Sequence, residues 1–130
     1  GSSGYFLGGV LAYGNEAKTD LLGVSKQTLD THGAVSGPVA EEMAEGVRRG
    51  LKADLGLSVT GIAGPDGGTA EKPVGTVWMA LATKDGVQSQ LFHFGEHRGR
   101  NIRRSALSAL NMLRLELKKQ LLPKGETCCN

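Results

Sequence analysis

The alternation of apolar and polar positions divides the chain into short strands and helices. Residues 55–62 form one apolar segment, and 75–83 form a nearly continuous apolar run typical of a strand covered on both faces. An Asp85-Gly86 pair follows, so a strand over 87–94 is predicted to return antiparallel to it. Residues 5–13 are also predicted to form a strand.

Helical spacing marks the segments between these strands. We expect a short helix from Asn15 to a stop at Gly23, and a second from a Ser25 cap to about Gly33. Pro38 then lies in the first turn of a longer helix. The buried face of that helix is predicted from its spacing to be Val39, Met43, Val47 and Leu51.

The last predicted element is a long helix that ends before Pro123. Its apolar residues share one stripe, formed by Ile102, Ala106, Leu110, Leu113, Leu117 and Leu121. Helices alternating with strands in this order predict an α/β fold, a three-layer α/β/α domain with a mixed sheet.

Composition limits the class of protein. A chain of 130 residues can bury one core, so we predict a single domain over 1–130 with a short tail over 122–130. A net charge of +2 does not favour nucleic-acid binding, and no apolar run is long enough to predict a membrane span. The adjacent Cys128 and Cys129 form no disulfide framework, which favours a reducing, cytoplasmic location.

A glycine-rich segment joins two of the predicted strands. Residues 58–77 contain five glycines and two prolines, and such a loop lets a ligand approach backbone N–H groups closely. The glycine spacing matches neither a P-loop nor a dinucleotide-binding fingerprint. The segment is therefore either a cradle for a small anion or a turn that only reverses the chain.

Arginines cluster where the last helix begins. Cations at a helix N-terminus oppose the helix dipole, and a bound anion would remove that conflict. The alternative is a solvated basic face. The cluster consists of Arg98, Arg100, Arg103 and Arg104.

Ser3, Tyr13 and Lys18 could together provide a nucleophile and its base. A serine hydroxyl needs a base at neutral pH, which a desolvated lysine can provide, and a tyrosine can orient the proton. The alternative is an N-terminal loop serine and a surface lysine. The three histidines show no recurring metal-ligand spacing with carboxylates or cysteines, so no metal site is predicted.

Several longer motifs resemble one family. They are Gly-Ser-Ser-Gly-Tyr-Phe (1–6), Gly-Gly-Val-Leu-Ala-Tyr-Gly-Asn-Glu-Ala-Lys (8–18), Leu-Leu-Gly-Val (21–24), His-Gly-Ala-Val-Ser (32–36) and the glycine-rich segment 58–77. With the arginine-rich start of the last helix, they resemble the CinA C-terminal domain family, the nicotinamide mononucleotide amidohydrolases, also found fused to competence/damage-inducible proteins. The resemblance covers residues 1 to about 121.

The resemblance implies hydrolysis of nicotinamide mononucleotide to nicotinic acid mononucleotide and ammonia, without a cofactor. It assigns Ser3 as nucleophile, Lys18 as base and Tyr13 as the assisting hydroxyl. These residues have the family's spacing, with the serine ten residues before the tyrosine and fifteen before the lysine. The substrate-binding residues that it implies are Thr60, Gly61, Gly64, Gly67, Gly68 and Arg100.

The resemblance also implies an additional N-terminal strand and helix segment that helps to bind the nucleotide, and nothing similar occurs in this sequence. We therefore expect exposed strands to be sheltered in a homo-oligomer, with a dimer favoured. The alternative function is a non-catalytic nucleotide-binding or partner-binding domain that has kept the fold.

Overall fold

The computed structural model describes residues 1–122, so Cys128 and Cys129 lie outside the described residues. Within that range the chain forms four helices and a three-stranded sheet. In chain order the elements are one turn of 3-10 helix (Ser2–Gly4), α1 (Asn15–Leu22), α2 (Lys26–His32), α3 (Gly37–Gly50), β1 (Gly56–Gly61), β2 (Thr76–Thr83), β3 (Gly86–His93) and α4 (Arg98–Leu121). None of the described helices combines the length and the apolar character that crossing a bilayer requires.

The three strands form an antiparallel meander in the order β1-β2-β3. Trp78 in the central strand pairs with Thr60 on one side and with Leu91 on the other. The predicted hairpin is confirmed, because Thr83 pairs with Gly86 across a two-residue turn. The mixed sheet is wrong for the described residues, since both strand pairs are antiparallel.

The strand predicted over residues 5–13 is also wrong. After the 3-10 turn the described chain has no regular secondary structure until α1. A strand must hydrogen-bond to a neighbour, and the described sheet, made only of β1, β2 and β3, offers this segment none. Its apolar side chains are consequently exposed, with Leu11 at 91%.

The ends of the helices follow the local chemistry that the sequence predicts. The Ser25 hydroxyl accepts the Thr28 N–H at the start of α2, at 3.2 Å. The Ser36 hydroxyl likewise accepts the Val39 N–H at the start of α3. Helix α1 ends at Gly23 in the left-handed conformation, with φ 69°. These caps confirm the predicted helix boundaries, except that Gly14 precedes α1 as its N-cap.

Helix α3 covers one face of the sheet through small side chains. Ala40 and Ala44 pack against Ala80 and Ala82 of β2, and this close packing brings the helix backbone near the strands. The Ser58 hydroxyl of β1 donates to the Ala40 carbonyl at 2.5 Å, which satisfies a buried polar group between the two layers. The predicted buried face of α3 is confirmed at Val39 and Met43.

Helix α4 contacts the opposite face. Ala109 packs against Val77 and Met79 of β2, so the sheet has helices on both sides. The apolar stripe predicted for α4 lies mostly in solvent, because all its residues are exposed except the half-buried Leu113. The buried side of the helix is instead that of Asn101 and Ala109. Apolar α4 residues that are half-exposed or more are Ile102, Leu107, Leu110, Leu115 and Leu121.

Gly75 occupies a position that other residues cannot adopt without strain. Its φ is +90°, and a Cβ there would overlap the carbonyl oxygens of Phe94 and Gly95. We expect Gly75→Ala to lower the free energy of unfolding by about 3 kcal/mol, measured by urea denaturation. Gly50→Ala is the control, because a Cβ at Gly50 meets no atom within 4 Å. Equal urea midpoints for the two variants would contradict this account.

Candidate functional site

The glycine-rich segment forms the connection between β1 and β2. Hydrogen bonds fix its two ends to each other: the Ile62 N–H donates to the Thr76 carbonyl at 2.9 Å, and the Gly75 N–H donates to the Ile62 carbonyl at 2.7 Å. Residues 65–71 at its tip are exposed. The segment is therefore a hairpin loop with a closed base and an accessible tip.

A small turn stabilises the far side of this loop. The Thr69 N–H donates to the Lys72 carbonyl, and the Lys72 N–H donates to the Thr69 hydroxyl, at 2.9 and 3.0 Å. Gly64 and Gly67 have φ near +90°, a region that favours glycine. A Cβ at Gly68 would lie 2.7 Å from the Val74 nitrogen. Gly64, Gly67 and Gly68 thus meet backbone requirements of the loop itself, whatever contacts they make with a ligand.

Two polar side chains join this hairpin to the end of α2 and to the connection that follows it. The Thr60 hydroxyl donates to the Ala34 carbonyl at 2.8 Å, and the Lys72 ammonium donates to the His32 carbonyl at 2.7 Å. Thr60 is buried, and the bond to Ala34 occupies its hydroxyl hydrogen. The adjacent Gly61 is exposed. This role of Lys72 could not be predicted from the sequence, because its partner lies forty residues away.

The first turn of α4 contacts the same loop. The Arg98 guanidinium donates to the Gly64 carbonyl at 2.9 Å. The Asn101 amide donates to the carbonyls of Ala63 and Gly95. Asn101 was not predicted as a site residue. The available signal was its helical spacing, which places this polar residue on the same face as Ala109 and Met112, the face that packs against the sheet.

Arg100 lies beside these contacts and is exposed. The backbone N–H of Arg100 donates to Nδ1 of the His97 ring at the start of the helix. The first turn of α4 holds no acidic residue. Within residues 1–122 the ion pairs are those of Glu45 with Arg48 and Arg49, so the arginine cluster of α4 has no carboxylate partner there. An exposed guanidinium at a positive helix end favours an anion.

Lys18 is the buried cation of the N-terminal half. Only 6% of its surface is exposed, and its ammonium donates to the Ala12 carbonyl at 3.0 Å. Burial lowers the pKa of Lys18, because desolvation penalises the charged form. A lysine in this environment can provide a neutral amine, the form that accepts a proton.

Ser3 and Tyr13 lie apart from that buried environment. Ser3 is in the exposed 3-10 turn, and Tyr13 is 90% exposed just before α1. No hydrogen bond joins Ser3, Tyr13 and Lys18 to one another in the described part of the chain. The nearest connection is that Lys18 binds the carbonyl of Ala12, the neighbour of Tyr13. The structure therefore brings the lysine to the Tyr13 segment but does not assemble the three groups.

The described residues contain no group of three or more histidine, cysteine, aspartate or glutamate side chains placed to hold a metal ion. The chemistry that they offer is of two kinds. A buried lysine can act as a base. The arginine-bearing start of α4, which contacts the hairpin loop, can attract an anion. Both features belong to one α/β domain, the lysine on α1 and the arginines at the start of α4.

Comparison with known proteins identifies the family. Residues 1–117 match the CinA C-terminal domain model, and the chain belongs to this family. It is 55% identical over 119 residues to a CinA-like protein of Shewanella sp. (strain ANA-3), and 54% identical over 119 residues to the nicotinamide-nucleotide amidohydrolase PncC of Shewanella oneidensis. Each alignment covers 90% of this chain, which spans only 28% of either relative.

A solved structure has the same fold. The competence/damage inducible protein CihA from Agrobacterium tumefaciens superposes with a TM-score of 0.77 at 43% sequence identity. The match covers 79% of this chain and 64% of that one. The family predicted from the motifs is thus confirmed.

Proposed function

We propose that this chain hydrolyses the carboxamide of nicotinamide mononucleotide, giving nicotinic acid mononucleotide and ammonia. The observation that carries the proposal is the burial of Lys18, whose lowered pKa favours the neutral amine that a serine nucleophile requires. It is supported by the family and by the name of the Shewanella oneidensis relative.

In this mechanism the neutral Lys18 amine takes the proton of the Ser3 hydroxyl while the serine oxygen attacks the amide carbon. The ammonium then protonates the amide nitrogen, the carbon–nitrogen bond breaks and ammonia leaves. Water attacks the resulting ester, giving its proton to Lys18, and Ser3 regains a proton as the acid departs. The Tyr13 hydroxyl lies between or beside Ser3 and Lys18 and orients the proton that they exchange. Backbone N–H groups near Ser3 hold the oxyanion.

This mechanism requires Ser3 and Tyr13 to close on Lys18 when substrate binds. Catalytic hydrogen bonds are often long or poorly aligned before the substrate is bound and tighten in the complex. The hydrogen bond from Lys18 to the Ala12 carbonyl leaves the lone pair of the neutral amine free to accept the serine proton.

The substrate is proposed to lie between the glycine-rich loop and the start of α4. Thr60, Gly61, Gly64, Gly67 and Gly68 form the loop wall, and Arg100 contacts the phosphate. The free guanidinium and the absence of acidic residues in the first turn of α4 support this placement.

Arg100→Ala is expected to raise the KM for nicotinamide mononucleotide about tenfold or more, with a smaller change in kcat, because a charge-assisted contact to the phosphate is lost. Steady-state kinetics at constant ionic strength measure this. Arg104→Ala is the matched control, an exposed arginine one turn further along the same helix. An equal KM increase in both variants would show a general charge effect and not a phosphate contact.

A non-catalytic nucleotide-binding or partner-binding domain is the second candidate. The observation that favours it is the separation of Ser3 and Tyr13, both exposed, from the buried Lys18. The two candidates differ in turnover: the hydrolase releases ammonia from nicotinamide mononucleotide, whereas a binding domain gives titratable binding without product. The full-length Shewanella oneidensis relative, assayed beside this chain, is the positive control for the assay.

We also propose that copies of the chain associate, with a dimer favoured. Apolar side chains left in solvent support this, since α4 exposes Leu107 and Leu110, and the N-terminal segment exposes Phe6 and Leu11. Sedimentation equilibrium gives the mass directly, and a value equal to the monomer's 13.6 kDa across the concentrations used for assay would exclude association.

A further inference from the structure

Asn101 is one of the most completely buried polar residues in the described chain. It is 1% exposed, and its side-chain nitrogen donates to two backbone carbonyls, those of Ala63 at 3.0 Å and Gly95 at 2.7 Å. Ala63 belongs to the glycine-rich loop, and Gly95 belongs to the connection between β3 and α4. One amide group therefore joins the loop, the connection and the helix.

The chemistry of these contacts defines the residue that can make them. Both partners are acceptors, so the side chain must present two hydrogens in this direction, and an asparagine nitrogen has two. The Asn101 oxygen is buried and has no hydrogen-bond partner among the described residues. A buried unpaired acceptor destabilises the fold, and an apolar residue would avoid that cost. The benefit of asparagine here is thus the pair of donated bonds.

A second side chain holds the next peptide group of the loop. The Arg98 guanidinium donates to the Gly64 carbonyl, so α4 binds the carbonyls of two consecutive loop residues, Ala63 and Gly64. The loop also packs tightly here, because a Cβ at Gly64 would lie 2.5 Å from the Val74 side chain. The start of the loop is fixed to the helix, whereas its tip is exposed.

We infer that Asn101 is a positioning residue for the substrate site. It holds the glycine-rich loop at a set distance from the first turn of α4. Arg100, the residue proposed to contact the phosphate, directly precedes Asn101 in that turn. It acts through the loop and has no contact with substrate. This inference rests on the proposed function for the identity of the ligand, but the attachment of the loop to α4 can be measured without turnover.

The test compares Asn101→Asp with Asn111→Asp. In the first variant a carboxylate oxygen replaces the nitrogen and faces two carbonyl oxygens, so the loop is released. Asn111 lies exposed on the same helix and uses its oxygen to accept from Arg114, which an aspartate can still do. The pair therefore introduces the same charge in the same helix with and without loss of the loop contact.

Three measurements are made on the whole chain. The heteronuclear NOE of the Gly64, Gly67 and Gly68 amides reports fast motion of the loop. Steady-state kinetics give KM and kcat for nicotinamide mononucleotide, and an NMR titration with the same compound gives its Kd. For Asn101→Asp we expect lower NOE values at these glycines and a KM and Kd raised about tenfold, with kcat changed less. Asn111→Asp should resemble wild type in all of them.

Unchanged NOE values with unchanged KM in Asn101→Asp would overturn the inference, and so would a loss of kcat at constant KM. If Asn101→Asp does not fold, Asn101→Ser, which keeps one donor, is judged by the same criteria. Absence of both turnover and binding in the wild-type chain would refute the proposed function instead. The NOE comparison alone would then decide whether Asn101 holds the loop.

Discussion

Replacing Ser3 by alanine is expected to lower kcat for deamidation about a thousandfold or more. The substitution removes the only oxygen that the proposed mechanism uses to attack the amide carbon, and losing the nucleophile of a serine hydrolase has effects of this size. Ser3 is exposed in the 3-10 turn, so the fold should tolerate the change. Ammonia release, measured in single-turnover and steady-state assays, gives the rate.

Ser2 provides the matched control for this experiment. It lies in the same exposed turn, and its backbone carbonyl, which a substitution of the side chain retains, accepts the N–H groups of Tyr5 and Phe6. Ser2→Ala should therefore keep wild-type activity. Full activity in Ser3→Ala would refute the serine mechanism, and an equal loss in both variants would indicate that the turn has a structural role instead.

Lys18→Met is expected to reduce kcat by a similar factor, about a thousandfold, because it removes the base while keeping an unbranched side chain of similar length. Lys26→Met is the control, since Lys26 is an exposed lysine at the start of α2. Loss of activity in Lys18→Met must be accompanied by an unchanged circular dichroism spectrum, because Lys18 also binds the Ala12 carbonyl.

The pH dependence gives a second test of Lys18. The base acts as the neutral amine, and burial lowers its pKa below the usual 10.5. The value of kcat/KM should therefore rise with pH up to that lowered pKa and level off above it. A profile that stays flat through the alkaline range, with full activity under acidic conditions, would exclude Lys18 as the base.

Stability should respond to the same group in a defined direction. Because the pKa of Lys18 is lower in the folded chain than in the unfolded one, the unfolded state binds more protons between the two values. The free energy of unfolding, compared with that of Lys18→Met, should consequently increase as pH rises from the lowered pKa toward 10.5. Urea denaturation across that pH range measures the difference.

The helices and the hairpin could be predicted from sequence because their causes are local. Ser25 and Ser36 cap helices through bonds to residues three positions away, and Gly23 ends α1 through its own backbone conformation. The turn before β3 is also local, since Lys84 and Asp85 join the paired residues Thr83 and Gly86. Each of these signals lies within a few residues of the feature that it sets.

The errors arose where the outcome depends on distant partners. The apolar segment over 5–13 has the composition of a strand, but pairing requires a neighbour, which the described sheet does not provide. The same limit explains why the mixed sheet was wrong. The apolar stripe predicted for α4 is mostly exposed, with Leu110 at 59%, because the side of the helix that is covered depends on where it meets the sheet.

For the candidate site, the sequence indicated which residues are candidates but not the hydrogen bonds that they make. Motif resemblance pointed to Lys18, and the structure adds that this lysine is buried with a lowered pKa. The bonds of Lys72 to the His32 carbonyl and of Asn101 to the Ala63 carbonyl join residues far apart in the chain. Such contacts leave no periodic trace in one sequence, so they become visible only in the folded chain.

The glycine-rich loop connects neighbouring antiparallel strands, and this has a thermodynamic consequence. A ligand that binds the ordered loop but not the unfolded chain must stabilise the folded state by linkage. The loop is closed at its base by bonds between Ile62 and both Gly75 and Thr76, so ordering of its tip is transmitted to the first rungs of the β1–β2 ladder. Occupancy of the site should then slow hydrogen exchange along β1 and β2, including strand residues beyond Thr60 and Gly61 that the ligand does not touch.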